Sequence, residues 1–370
     1  MLRSTDFWKD EGETSLMLQE KGFIKSEGIE NIFERTSKWF ELVGLKKEEI
    51  KIVEFSTDEP ERIFVLDAER TFSNDINKKK LVKILTHLKK EFGDYQQGLS
   101  FVASFLMLTM DESENVALMT KINSMLPGYW KHEAIDFGTS AFTLYHILQQ
   151  THPSITKHLE NNCIDAGTFC QKWFLGLCVH LLPFRYLFQF FEKFLVGGVE
   201  YLYKFSLALF TVLEKRILDA KNPQVIFAIL RLDESEIKDE EIFQQILDKS
   251  DTIDISTFDL KEISKDVYER NLKKRIESAH KVHANVEEIE DCQWCLDNFP
   301  EFYCLECKQL VCQDCLDDTP TGPNETHQED SHTLISMEEY ENDRDKYKQP
   351  KSTTTTTVEK LTKDLEDLKV

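Results

Sequence analysis

Two groups of residues in this 370-residue sequence have types and spacings that could do chemistry. The first is Arg70, with Asp67 three positions before it, together with Gln97. On a helical turn, side chains three apart share a face, so the Asp67 carboxylate can hold the Arg70 guanidinium and restrain it before any partner arrives. Gln97 precedes Gly98, where the chain can bend and display the amide, and stands ahead of LSFVASFLML, which reads as a buried helix. Arginine offers a planar fork of donors, and a glutamine amide donates and accepts at once. Each residue also has a local explanation: Arg70 can simply close an intrahelical ion pair, and Gln97 can cap the helix that follows.

The second group is Cys292, Cys295, Cys304, Cys307, Cys312, Cys315, His327 and His332, which form three CxxC pairs followed by HxxxxH. Eight such ligands suffice for two tetrahedral zinc ions with no coordination position left open, which points to a structural role. Each CxxC turn aims two thiolates at one metal. The four residues between the second and third pairs disfavour their sharing an ion. This spacing suggests an interleaved arrangement, with Cys292, Cys295, Cys312 and Cys315 on one ion and Cys304, Cys307, His327 and His332 on the other. His280 and His283 share a helix face and are open to a metal or to a plain solvated reading.

The elements that must position these residues read as helical. Apolar positions recur at helical period over 29–44, 78–92, 99–109, 116–126 and 135–149, with Gly44, Gly93, Pro127, Gly128 and Pro153 as breaks, and alternating β-branched runs are missing. KWFLGLCVHLL, within 167–182, is apolar nearly all round and predicts a central helix. Pro183 opens the next helix, and Gly197 with Gly198 makes a turn, so two core helices form an antiparallel couple. From 231 the chain turns acidic and polar, which predicts peripheral closing helices to 286, the second of them over 260–283, with no site assigned.

Composition narrows the partners. A hydrophobic content of 41% with 13 glycines and 9 prolines allows a substantial core plus a smaller module. A formal net charge of -22 argues against nucleic acid or an anionic membrane surface, since phosphate binding needs clustered Lys and Arg. The first residues carry no apolar signal core, and Arg185, Glu192, Lys193 and Lys204 interrupt the greasiest stretch, so neither a signal peptide nor a transmembrane helix is expected. Nine cysteines in such a chain read as reduced cytosolic thiols and a metal site.

With these residues in place, the order VLDAERTF, YQQG, KWFLGL and FEKFLVGGVEYLYKFSLALF resembles the TBC domain, the catalytic domain of Rab GTPase-activating proteins, over about residues 30–230. Phe64, Asp67 and Arg70 stand for the family's IxxDxxR, Tyr95, Gln97 and Gly98 for its YxQG, and the segment from Arg35 with Trp39 for its RxxxW. Departures are Phe64 for isoleucine, Ser73 where proline is common, Asp94 where glycine is common, and Glu192 for aspartate. Asp94 matters most, because an inward carboxylate beside Gln97 would repel phosphate.

The resemblance implies an all-α catalytic domain that performs no reaction on a substrate of its own. Arg70 would act in trans on a GTP-bound Rab-family GTPase as an arginine finger and Gln97 as a glutamine finger, with Asp67, Tyr95 and Gly98 in support. GTP and Mg²⁺ would be bound by the partner. Residues 291–336 resemble a B-box zinc finger, which implies two structural zinc ions and an interaction module for an unknown protein. The expected organisation is an extension at 1–29, a TBC domain at 30–230, closing helices and linker at 231–286, the B-box-like finger at 287–338 and a flexible to helical tail at 339–370. Val358, Leu361, Leu365 and Leu368 follow a coiled-coil rhythm, read either as weak self-association or as a frayed tail. The expected setting is cytoplasmic, in vesicle trafficking, with recruitment to endomembranes through the GTPase. The rival reading is an inactive TBC adaptor that binds a small GTPase and recruits partners through the finger.

Overall fold

The computed structural model describes residues 1–3, 21–56, 59–131, 133–274, 276, 292–293, 299–318 and 332–342. It divides into two compact units, Met1–Lys281 and Val282–Val370. The first unit is helical: α1 Lys21–Glu27, α2 Ile29–Ser37, α3 Trp39–Leu42, α4 Arg62–Thr71, α5 Asp75–Phe92, α6 Gly98–Leu106, α7 Glu112–Met125, α8 Ile135–Thr151, α9 Pro153–Asn161 and α10 Ala166–Cys170. The run α11 Phe184–Asp219, then α12 Pro223–Leu230, α13 Glu241–Thr252 and α14 Leu260–Val267 complete it.

The predicted periodicities reappear, and their ends have local causes. Asn74 caps α5 by accepting from the Ile76 and Asn77 amides, and Gly93 closes it at φ 83, a backbone region that glycine enters without strain. Asp111 and Glu114 form a reciprocal capping box at the start of α7. The expected single helix over 29–44 is instead α2 and α3, separated at Lys38.

α11 is the centre of the core. Its 36 residues are interrupted at Gly198, which takes φ 56 and ψ -141. In an unbroken helix Phe190 and Phe205 would stand roughly 22 Å apart. Their ring centroids are 4.9 Å apart, so the chain reverses at the glycine pair into the expected antiparallel couple. By length and composition alone α11 could cross a bilayer, yet its arms bury Phe188, Phe190, Phe194, Leu202 and Phe210 inside the unit. α13 contributes Ile242, Phe243, Ile246 and Leu247 to the same core, so the acidic stretch after residue 231 covers the centre with an apolar face of its own.

Glu192 on α11 receives both the Nε and Nη2 of Arg35, the latter at 2.8 Å, and the Trp39 indole N–H at 3.4 Å. The extra methylene relative to aspartate therefore does not break the tie between α2, α3 and α11.

The stretch 166–182 departs from expectation. α10 ends at Cys170, a single π-helical turn spans Gln171–Leu175, and Leu177 and Cys178 then adopt left-handed φ values of 44 and 60. Trp173, Phe174, Leu175, Leu177 and Cys178 are buried as the apolar pattern requires, but in a compact turn instead of a continuous helix. Its break leaves Lys172 and His180 at the surface.

In the second unit, β1 Phe302–Cys304 lies between β2 Gln309–Val311 and β3 Leu334–Ser336, antiparallel to both. α15 Gln313–Asp318 and α16 Met337–Asn342 flank these strands. Tyr303 and Tyr340 stack at 4.5 Å. Cys295, His280, His283, His327 and the heptad positions of the tail lie outside the described residues.

Candidate functional site

The structure brings Arg70 and Gln97 to one pocket of about 250 Å³. Arg70 sits in the last turn of α4, where a cation complements the helix dipole, and Phe72 just beyond it is buried and fixes the chain's exit. Gln97 stands at the mouth of α6 with its side chain exposed. Its carbonyl accepts from the Ser100 amide at 3.1 Å and hydroxyl at 2.7 Å, so its backbone is held. The side chain makes no capping hydrogen bond to α6, which removes the helix-cap explanation for this residue.

A chain of support runs inward from Arg70. Asp67 is only 3% exposed, and its Oδ1 lies 3.9 Å from Arg70 Nη1. Its Oδ2 accepts from the Tyr95 hydroxyl. Burial first, and then the neighbouring Asp67 carboxylate, raise the Tyr95 phenol well above its ordinary value, so it stays a donor. The Tyr95 ring meets Phe64 edge-on at 4.9 Å. The phenylalanine that replaces isoleucine thus packs the tyrosine that holds the aspartate. The ion pair with Asp67 spans 3.9 Å, and the Arg70 side chain remains 45% exposed.

Gly98 serves differently from the sequence expectation. It is the first residue of α6, not a bend, and a Cβ there would lie 2.6 Å from the Leu175 carbonyl oxygen and 2.7 Å from Leu175 Cβ. That carbonyl cannot retreat freely, because it accepts from the Trp130 indole at 3.0 Å. Glycine is needed for close approach, and this approach fastens the 171–175 turn beside Gln97. We expect Gly98→Ala to lower stability by about 1–3 kcal/mol through overpacking, measured by urea unfolding. An unchanged midpoint would contradict this contact.

Asp94 accepts from the Tyr95 amide at 2.8 Å and is not among the residues lining the pocket. The expected risk of an inward carboxylate is therefore not met.

Sequence reasoning missed the opposite part of the lining, Lys172 and His180, with Phe101 and Ser104 from α6. The His180 ring meets Phe101 edge-on at 4.0 Å, and burial, then the Lys172 charge, push its imidazole down to about 4 from 6.5. It is neutral at pH 7. Since the unfolded chain binds this proton more readily between about pH 6.5 and 4, the stability tied to His180 is lost as pH falls through that window. Ring-proton NMR should show this titration well below that of a free histidine; a midpoint near 6.5 would refute the assignment.

A larger cavity of about 840 Å³ lies elsewhere, against Trp39, Glu192, Val196 and Tyr201, and contains none of the predicted site residues. Three of its cations are already paired, Arg35 with Glu192, Lys38 with Glu34 and Lys193 with Asp251.

The second unit gathers two ligand clusters, Cys292 with Cys312 and Cys315, and Cys304 with Cys307 and His332. These six of the eight expected ligands group in the interleaved order, while Cys295 and His327 lie outside the described residues. Adjacent ligands on a tetrahedral zinc lie about 3.8 Å apart for two sulfurs and about 3.5 Å for sulfur and nitrogen, from Zn–S near 2.3 Å and Zn–N near 2.0 Å. The separations here are 3.9 Å for Cys292 to Cys315, 3.4 Å for Cys304 to His332 Nδ1 and 3.2 Å for Cys307 to His332 Nδ1. Backbone amides of Cys312 and Cys307 point at Cys292 and Cys304 sulfurs at 3.3 and 3.4 Å. The donor set fits zinc.

Residues 35–218 match the Rab-GTPase-TBC domain family. The mouse protein TBC1 domain family member 4 is 27% identical over 224 residues, covering 59% of this chain and 16% of that protein. The Caenorhabditis elegans Rab GTPase-activating protein eat-17 is 30% identical over 152 residues, covering 40% of this chain and 17% of that protein. A solved Chlamydomonas flagellar RabGAP TBC domain aligns at 14% identity and TM-score 0.48, covering 64% of this chain and 91% of that one. The chain spans about a sixth of the length of these two curated relatives. Residues 35–218 of this chain belong to the Rab-GTPase-TBC domain family.

Proposed function

We propose that this chain is a GTPase-activating protein for a Rab-family small GTPase, acting in trans with Arg70 as the arginine finger and Gln97 as the glutamine finger. The observation that carries this reading is their meeting in one pocket, with Arg70 oriented by the Asp67–Tyr95 pair yet half exposed. Intrinsic hydrolysis is slow because charge builds on phosphate oxygens and the attacking water is poorly held. The Arg70 guanidinium donates its fork to the developing charge, and lysine lacks that planar geometry. The Gln97 amide donates to one oxygen and accepts from the water. GTP and Mg²⁺ arrive on the partner, so no reaction occurs on this chain alone.

We further infer that the second unit is a B-box-like interaction module holding two structural zinc ions. Cys292, Cys295, Cys312 and Cys315 would hold one, and Cys304, Cys307, His327 and His332 the other; the grouping of the six described ligands supports this. The protein acts in the cytoplasm and reaches endomembranes through its GTPase partner, and the tail adds at most weak self-association.

The experiment is single-turnover GTP hydrolysis across a panel of Rab proteins, with and without the full chain. Acceleration of at least one Rab is expected. Tight binding to GTP-loaded Rab with no acceleration of any would instead describe the inactive adaptor and overturn the reading.

A further inference from the structure

The Arg70 pocket contains a second cation that the two-finger reading leaves unused. Lys172 lies on the π-helical turn Gln171–Leu175, outside the pattern from which Arg70 and Gln97 were picked. Its backbone is fixed, since its carbonyl accepts from the Cys178 amide at 3.1 Å, and the end of the same turn is pressed against Gly98. Lys172 is thereby held on the lining of the pocket it shares with Gln97 without relying on its own side chain.

The charges around it are poorly matched in the free chain. Among the described residues no carboxylate lies within ion-pair distance of Lys172, whereas Arg70 pairs with Asp67 in the same pocket and twelve further ion pairs form elsewhere. Partial burial first, and then repulsion by Arg231, lower its affinity for a proton, and Asp233 offsets this only in part. Neighbouring His180 is neutral at pH 7 and offers no counter-charge. In a chain of net charge -22, this pocket sets Arg70 and Lys172 together. An anion entering it would gain contacts to both cations, beside the Asp67 carboxylate that also lines the pocket.

We propose that Lys172 is a third contact residue of this site, taking an anionic oxygen of the GTP-bound partner that docks on Arg70 and Gln97. This rests on the Rab GAP reading and adds a specificity-determining residue to it. The oxygen can belong to a nucleotide phosphate or to a carboxylate on the partner's surface, and kinetics separate the two.

The test compares the full chain with Lys172→Gln, Lys172→Glu and Lys172→Arg, using Arg70→Ala as reference, at low and high salt. Because Lys172 is exposed, all variants should melt like the parent. We expect kcat/KM at low salt to fall about tenfold for the glutamine variant and about 100-fold for the glutamate variant, with the arginine variant within about threefold. The salt dependence of the glutamine variant should be shallower than the parent's, a change that a merely structural role would not produce. A loss in kcat assigns the contact to phosphate, and a rise in KM assigns it to a carboxylate. Parent acceleration with an unaltered glutamine variant would overturn the inference while leaving the Rab GAP reading intact. If the parent accelerates no Rab, that reading fails by itself. Binding of the same variants to GTP-loaded Rab at low salt then decides the Lys172 contact, and equal binding overturns it.

Discussion

Arg70→Ala should reduce the acceleration of GTP hydrolysis by about 10³ to 10⁵-fold, the range an arginine finger supplies, equivalent to roughly 4–7 kcal/mol of barrier. The fold should survive, because the side chain is 45% exposed and its ion pair with Asp67 spans 3.9 Å. Arg70→Lys should recover little, since one ammonium cannot place two parallel donors on the same group. Replacing Asp67 should behave differently. That carboxylate is buried and receives the Tyr95 hydroxyl, so Asp67→Ala removes the acceptor that ties the phenol to the finger and loosens both the finger and its support. Single-turnover hydrolysis with each variant, alongside thermal unfolding, separates the two roles. An Arg70→Ala chain as active as the parent would remove Arg70 from the mechanism.

Stripping metal from the second unit should unfold it. The described residues there have three-residue strands, two six-residue helices and small buried groups, Cys292 with Val311 and Cys312, and Tyr303 with Leu310 and Tyr340. Such cores cannot offset the conformational entropy of ordering the chain. A structural zinc site contributes an apparent 10–16 kcal/mol at neutral pH, roughly enough to decide whether a small module folds. Full-length protein purified without chelator should carry about two zinc ions, and chelation should open residues 292–342 to protease while the helical unit resists. A metal content near zero, or unchanged protease resistance after chelation, would contradict this.

What the sequence could and could not reveal has a physical pattern. α5 was legible because Leu81, Ile84, Leu85 and Leu88 repeat at helical period and Gly93 ends the run with a conformation glycine favours. The hairpin in α11 was legible from the glycine pair, and the ligand grouping of the second unit from CxxC spacing. Gly98 was read as a bend because local pattern suggests flexibility, whereas its role is a contact with Leu175, far along the chain. Lys172 and His180 were missed because they bracket an almost wholly apolar run, which reads as a buried helix. The left-handed residues Leu177 and Cys178 convert it into a turn that presents both to the pocket. Non-glycine residues with positive φ carry no local signature, so that reversal could only be seen in three dimensions.

The most direct measurement of the two-finger account is binding of the full chain to a Rab loaded with GDP and aluminium fluoride, which mimics the phosphoryl group in transit. A site complementary to the transition state must bind this form far more tightly than the GDP form, and Arg70→Ala must erase the difference. Equal affinity of the parent chain for both forms would contradict the account.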